Sequence, residues 1–178
     1  MSFDRACRVN VGLREPNVAF EKEDWAVGVD RGRLLVIAEH VAPGVPAIAA
    51  AVRSAPDDKS AMTELAWGLR GAGLAAYIDW AEDPEDVQEA LNSLRSRPGA
   101  MSWDWWDDED CEDCDEAEVI ERFLGLAGDH SRRYGAILFE IEQGGDGYLV
   151  GFMEEGSVGM LVDNRSLRVV ATGWQNRA

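Results

Sequence analysis

Lysine is nearly absent from this sequence, and basic residues as a whole are scarce. Lys22 and Lys59 are its two lysines, and 17 basic residues face 34 acidic ones, which gives a net charge of -17. Such a charge repels nucleic acids and anionic membranes. A nucleic-acid-binding protein normally carries a basic stripe, whereas the closest feature here is the isolated pair Arg132 and Arg133. We therefore expect no nucleic-acid partner and no membrane, and instead a basic protein partner or bound cations.

Long apolar runs and cysteines are also scarce. No stretch approaches the ~20 apolar residues that are needed to span a bilayer, and residues 1–14 lack the apolar core of a signal peptide. The three cysteines are an odd number, which argues against a secreted disulfide framework. We therefore expect a cytoplasmic protein. The excess of arginine over lysine, together with abundant alanine, suggests a GC-rich bacterial genome.

Catalytic and cofactor motifs are missing as well. Gly68, Gly71 and Gly73 follow a predicted helix, whereas a dinucleotide-binding glycine loop follows a strand. The Gly-Ser-Val-Gly stretch at 156–159 lacks the frame of a nucleophile elbow. The chain has no phosphate-binding loop, and His40 and His130 stand in no recognisable motif. We therefore expect no cofactor and name no catalytic residue, which favours a protein that is not an enzyme.

The residues that are present predict one folded domain over residues 1–178. The length suits a single domain with a sizeable core, and 46% apolar with 29% charged residues is typical of a globular protein. Apolar residues at helical spacing and helix-capping signals predict helices at 45–53, 56–71, 84–96 and 115–128. Alternating or short apolar runs predict strands at 7–13, 25–30, 33–38, 74–80, 136–142, 148–153, 158–163 and 167–172.

This order of elements predicts an α+β fold. The sheet should be mostly antiparallel, because short links rich in Gly, Asn and Ser make the last four strands a C-terminal meander. Residues 25–30 and 33–38 should form a hairpin that turns at Arg31 and Gly32. About four helices should lie in the middle of the chain. One parallel crossover through 74–80 and the helix at 84–96 is left open.

The most distinctive feature is an acidic internal loop at about 100–114. Ten acidic residues and no basic ones lie between Asp104 and Glu118, and three tryptophans stand at the head of this run. Acids steer a basic partner and tryptophans anchor it, which predicts a protein-binding surface. The predicted partner-binding residues are Trp103, Asp104, Trp105, Trp106, Asp107, Asp108, Glu109 and Asp110. The alternative is that the tryptophans pack in the core while the acids stay solvated near the start of the next helix.

Metal binding is a further alternative, although the ligand spacing is poor. A calcium-binding loop needs an internal glycine, and none lies between Met101 and Ala117. Cys111 and Cys114 form a CxxC pair, but a structural zinc site needs four ligands and a reactive thiolate needs positive surroundings.

Two carboxylates outside the loop are the other metal candidates. Asp79 and Asp83 follow the strand predicted at 74–80, where they could hold a metal or exchange protons. The alternative is that Asp83 is a helix cap and Trp80 is a core residue.

Short motifs carry a resemblance to known proteins. The stretch LAAYIDW at 74–80, followed by EDPED at 82–86, and the stretch GDGY at 145–148 resemble small acidic bacterial proteins of a family of unknown function. The resemblance covers about residues 60–160 and implies no activity. By charge and size the chain is also similar to immunity proteins that neutralise toxic nucleases.

We therefore predict a non-enzymatic, immunity- or antitoxin-like inhibitor of a basic protein. The two alternative hypotheses are a carboxylate-based metal-binding protein or metal-dependent enzyme, and a domain whose acidic residues serve solubility only.

Overall fold

A computed structural model describes residues 30–106, 116–142, 147–161 and 166–171. The strand predicted at 7–13 and most of the one predicted at 25–30 lie outside these residues. The longer elements are α1 (Arg31–Val41), α2 (Pro46–Ser54), α3 (Asp58–Gly71), β1 (Ala76–Asp79), α4 (Pro84–Asn92), α5 (Glu116–Ser131), β2 (Ala136–Ile141), β3 (Gly147–Glu154) and β4 (Leu167–Val169). Two 3-10 helices occupy Arg132–Tyr134 and Glu155–Met160.

The strands form one antiparallel sheet with the order β1-β3-β2-β4. Each described pairing is antiparallel, with β3 between β1 and β2 and with β4 on the far side of β2. The α+β class and the antiparallel sheet are therefore confirmed. The connection from β1 through α4 and α5 to β2 is a parallel crossover, because both strands run antiparallel to β3, which lies between them in the sheet. β1 is a strand as predicted, and it lies at an edge of the described sheet.

Two predicted strands are wrong. Residues 33–38 belong to helix α1, which Asp30 caps by accepting a hydrogen bond from the Arg33 amide at 3.1 Å. Residues 158–160, predicted to begin a strand, belong to the 3-10 helix Glu155–Met160, so the last part of the chain is not a meander of four consecutive strands. β1, from the middle of the sequence, supplies the fourth strand of the sheet instead.

The helix α1 shows why its strand prediction failed. Its buried residues are Leu34, Ile37, Ala38 and Val41, which follow the three- and four-residue spacing of a helix face. In the sequence this spacing is hidden by Leu35 and Val36, which turn the segment into a continuous apolar run. Such a short run fits a strand and a buried helix equally well.

The other helices agree with their predictions apart from their ends. α3 begins at Asp58 rather than at Pro56, because the side chain of Asp57 caps it by accepting from the Ser60 amide at 2.7 Å. α4 begins at Pro84 with Asp83 in the N-cap position, as predicted. It ends at Asn92, several residues before the predicted end.

Both faces of the sheet are covered by helices. On one face lies a hydrophobic core cluster, called here the α1–α3 cluster, which contains Ile137, Phe139 and Ile141 of β2 together with the buried residues of the first three helices. The α4–α5 cluster contains Leu138 of the same strand together with residues of α4 and α5. Alternate residues of a strand point to opposite faces, so Glu140 shares the α4–α5 side with Leu138.

Helix α5 lies very close to the chain that follows β4. A Cβ atom added at Gly128 would overlap the backbone carbonyl of Val170, which cannot move aside as a side chain could. The close contact joins α5 to the last described part of the chain, and Val170 itself is fully buried in the α4–α5 cluster. A glycine is therefore required at this position of α5.

Candidate functional site

The three tryptophans of the acidic loop lie in a non-helical segment before α5. Trp103, Trp105 and Trp106 are half-buried and pack against the α4–α5 cluster, whereas Asp104 between them is exposed. The remaining predicted binding residues, Asp107, Asp108, Glu109 and Asp110, lie outside the described residues, as do Cys111 and Cys114.

One phenylalanine of α5 contacts all three indole rings. Phe123 is fully buried, and its ring stacks on that of Trp103 with 5.7 Å between centroids and 13° between planes. Trp105 contacts the same ring at 5.5 Å, and Trp106 meets it edge-on at 5.0 Å. These contacts agree with the alternative in which the tryptophans contribute to the core. Because each indole is only half-buried, part of its surface also stays accessible.

The polar ends of two indoles are held by nearby acceptors. Trp103 donates from Nε1 to Oδ1 of Asn92 at 2.8 Å, and Trp105 donates from Nε1 to the Ser102 carbonyl at 2.9 Å. Trp105 also contacts the ring of His130 at 5.4 Å. Burial, and then the nearby charge of Arg133, lowers the pKa of His130. The segment is therefore fixed in place by α4 and α5.

A guanidinium already lies on this aromatic surface. The Cζ atom of Arg97 stands 5.9 Å from the centre of the Trp103 ring, which is a cation–π distance. Arg97 also donates a hydrogen bond to the Met101 carbonyl, and Met101 is buried. Within the chain itself, the face of the Trp103 ring therefore accepts a guanidinium.

The metal candidates Asp79 and Asp83 do not form a recognisable ligand set. The carboxylate of Asp79 accepts from the Ala81 amide at 3.1 Å, and Asp83 lies exposed at the start of α4. Burial, followed by the charges of Asp79 and Asp86, raises the pKa of the neighbouring Glu82. Within the described ranges, no group of three or more His, Cys, Asp or Glu side chains is placed to hold a metal ion.

The tryptophan at the end of β1 departs from expectation. Trp80 is 41% exposed, so the interpretation of this residue as part of the core is wrong. It follows β1 directly, at an edge of the described sheet.

Sequence reasoning missed a buried polar cluster on the α5 side of the sheet. Glu140 on β2 is directly opposite Arg168 on β4, and Arg168 Nε lies 3.2 Å from a carboxylate oxygen of Glu140. The same guanidinium lies 3.6 Å from Glu142. Glu140 is only 5% exposed. The one signal in the sequence was an acidic residue inside the otherwise apolar stretch AILFEI.

A second pair of side chains adjoins this ion pair. The hydroxyl of Tyr148 on β3 donates to a carboxylate oxygen of Glu121 on α5 at 3.1 Å. Burial, with smaller contributions from the charges of Glu142 and Glu121, raises the pKa of Glu140 to about 7 against the opposing effect of Arg168. Burial and then the charge of Glu121 also raise the pKa of Tyr148. The cluster can therefore hold a proton on a carboxylate at neutral pH.

Fold and surface together define a small α+β protein whose sheet is covered on both faces and which carries a half-exposed tryptophan surface at the head of an acidic run. Comparison with models of protein families shows which family the chain belongs to. The model of a domain of unknown function (DUF6630) matches residues 33–162, which is most of the chain, and the chain belongs to this family. The predicted resemblance to a family of unknown function is thereby confirmed.

The family match begins within α1 and ends before β4, so it includes the tryptophan segment and Glu140 but excludes Arg168. No curated protein and no solved structure matches the chain. In the described part of the chain, no helix is both long enough and apolar enough to cross a membrane.

Proposed function

We propose that this protein is a non-enzymatic binding protein that captures a basic protein partner, in the manner of an immunity protein or antitoxin. The observation that carries the proposal is the guanidinium of Arg97 on the face of Trp103, at the head of the acidic run. A partner's arginine or lysine side chains would find the same chemistry on the accessible parts of the neighbouring indoles.

Charge supports the approach of such a partner. The net charge of -17 attracts a basic surface over several ångströms, and the ten acids between Asp104 and Glu118 concentrate that attraction at one place. Exposed charges of this kind raise the association rate more than the final affinity. The association should therefore slow steeply, and the affinity fall with it, as salt is added, because the Debye length falls from about 10 Å at 0.1 M salt to about 3 Å at 1 M.

The indoles support the short-range part of the interaction. Trp103, Trp105 and Trp106 are positioned by Phe123 and by hydrogen bonds, so little conformational entropy is lost when a partner contacts them. A cation over a tryptophan face contributes about 0.5–2 kcal/mol.

The test uses Arg-rich and Lys-rich peptides of equal length and charge as probes of the full-length protein. Titration calorimetry at low and high salt would give the affinity of each. The loop variant neutralises five acids: Asp104→Asn, Asp107→Asn, Asp108→Asn, Glu109→Gln and Asp110→Asn. The control variant neutralises five exposed acids elsewhere: Glu64→Gln, Glu85→Gln, Glu89→Gln, Glu154→Gln and Glu155→Gln.

The two variants have the same net charge, so they separate a local surface from bulk attraction. We expect the loop variant to bind at least about tenfold more weakly than the control, which corresponds to about 1.4 kcal/mol. Equal losses in both variants would mean that the acids act only through total charge and would overturn the proposal. A low-salt pull-down from the native host would then identify the natural partner.

A further inference from the structure

The most exposed of the large apolar side chains in the described residues lies far along the chain from the acidic loop. Trp67 on α3 is 69% exposed, whereas Trp103, Trp105 and Trp106 are half-buried. An isolated exposed apolar residue is ordinary, but one that adjoins an apolar depression marks an interaction surface.

Such a depression lies between α2 and α3. It is an open groove with a cavity volume of about 310 Å³, and α2 contributes Ala47, Ile48 and Ala51 to its lining. α3 contributes Glu64 and Gly71, among others. Trp67 comes three residues after Glu64 and four residues before Gly71, and residues at these spacings are neighbours on a helix surface. The indole therefore stands at the rim of the groove.

The groove is part of the folded structure rather than a product of binding. Gly68 packs against Ile48 so closely that an added Cβ would lie 3.0 Å from the Ile48 side chain. Ile48 itself is buried, and it holds α2 against α3. Gly71 has open space where a side chain would be. The floor of the groove is therefore fixed, and its end is open to an incoming side chain.

The scarcity of charged side chains around the groove bears on which molecule could occupy it. Residues 41–52 contain no charged side chain, and among the described residues that line the groove Glu64 is the one that is charged, in a chain with a net charge of -17. A basic partner would be drawn to the acids elsewhere and would find little here. A second copy of this chain is itself strongly acidic, so it can approach closely only where charge is sparse.

The shape of the surface around Trp67 is also consistent with a second copy of the chain as the occupant. Contact between two identical copies around a twofold axis uses the same patch on both, so that patch must be self-complementary, and a protrusion beside a depression is one way to meet this condition. Trp67 and the groove meet this condition, because the protrusion and the depression are adjacent on α3. We propose that this face is the contact between two copies of the chain, in which Trp67 of each copy occupies the α2–α3 groove of the other.

Salt should act on this contact in the direction opposite to its effect on the basic partner. Two copies that each carry -17 repel one another, and added salt screens that repulsion while leaving the apolar contact intact. The dimer should therefore tighten as salt rises, whereas the capture of a basic partner should weaken. The two proposals can consequently fail independently.

The test is sedimentation velocity on the full-length protein from micromolar to submillimolar concentration, at low and high salt. Trp67→Ala removes the protrusion, and Ala47→Glu adds a charge to the groove lining without altering Trp67. Ala47 is exposed in the first turn of α2, where an acidic residue suits the helix dipole, so this variant should fold. Trp80→Ala is the matched control, since Trp80 is also exposed but lies next to β1.

We expect the wild type and Trp80→Ala to form a dimer that tightens at least about tenfold from low to high salt. Trp67→Ala and Ala47→Glu should each weaken it by about tenfold or more. A wild-type protein that stays monomeric at high salt and submillimolar concentration would overturn the proposal. So would a dimer that both variants leave unchanged, or assembly that continues beyond two copies.

Discussion

Glu140 and Arg168 face each other across neighbouring antiparallel strands, with 3.2 Å between a carboxylate oxygen and Nε. The Glu140 carboxylate lies on the sheet face that packs against α5 and is almost completely buried there, whereas the Arg168 guanidinium reaches the surface. Burial raises the pKa of Glu140 to about 7 although Arg168 opposes this, so the loss of water outweighs the one ion pair. Replacing one partner of such a pair costs more than the pair contributes, because it leaves a buried group without compensation.

The first prediction concerns the pH dependence of stability. The pKa of Glu140 rises from the usual 4.5 to about 7 on folding, so the folded state holds the proton more tightly than the unfolded chain does. The resulting stabilisation is complete below about pH 4.5 and is lost as the pH rises through 7, a change of about 3 kcal/mol. Glu140→Gln cannot titrate, so its free energy of unfolding relative to the wild type should increase over this range.

Urea unfolding at several pH values between 4.5 and 8 would measure this difference. The control is Glu142→Gln, which removes the more exposed carboxylate near the same Arg168. Its stability relative to the wild type should change much less with pH. A Glu140→Gln curve parallel to that of the wild type would show that Glu140 does not carry a proton in the folded protein.

The second prediction concerns the hydrogen bond from Tyr148 to Glu121, which is 3.1 Å long and joins β3 to α5. Tyr148→Phe should lower the free energy of unfolding by about 1 kcal/mol, since it removes one donor from a carboxylate. The difference between the alkaline absorbance titrations of the two proteins reports Tyr148 alone. Its midpoint should lie well above 10.0, because burial and Glu121 raise the pKa. A midpoint near 10.0 would contradict the contact.

The third prediction concerns Gly128 of α5. Gly128→Ala should destabilise the protein by about 1–3 kcal/mol or more, because the new methyl group would overlap the Val170 carbonyl and force α5 away from the sheet. The matched control is Gly71→Ala at the end of α3, where the added Cβ meets open space and a neutral or small stabilising effect is expected. Thermal unfolding of the two variants gives the comparison, and equal melting temperatures would argue against the close approach.

The fourth prediction compares two tryptophans under the same substitution. Trp106→Ala removes a ring that contacts the buried Phe123, so it should cost about 2–4 kcal/mol of unfolding free energy. Trp67→Ala removes an exposed ring and should stay within about 0.5 kcal/mol when it is measured on the monomer at low concentration. Urea denaturation followed by circular dichroism avoids the loss of tryptophan fluorescence. Similar costs for both would contradict the packing around Phe123.

Local signals in the sequence predicted the elements whose boundaries depend on local chemistry. Asp83 and Pro84 marked the start of α4 because the residue types that are preferred at the N-cap and N1 positions are a signal within one turn, although the Asp83 side chain makes no capping hydrogen bond. The spacing of Met62, Leu65 and Leu69 identified the buried face of α3. Trp67 lies off that face, so its exposure could have been predicted from the same spacing.

Features that depend on distant parts of the chain were not predictable in this way. Glu140 is buried because β2 lies between β3 and β4, and its partner Arg168 comes from a strand whose pairing no local pattern reveals. Likewise, the half-burial of Trp103 depends on Phe123, which belongs to a different element. The acidic run was evident from composition, whereas its contact with α5 required the tertiary structure.

The alternation along β2 has a consequence for how the chain finds its fold. Phe139 and Ile141 lie in the α1–α3 cluster, and Glu140 lies between them on the opposite side. A one-residue slip of this strand would exchange the two sides, and it would bury an unpaired carboxylate in the apolar cluster while moving two large side chains out of it. Glu140 therefore disfavours the slipped alignment of β2, because the observed register is the one in which it lies opposite Arg168.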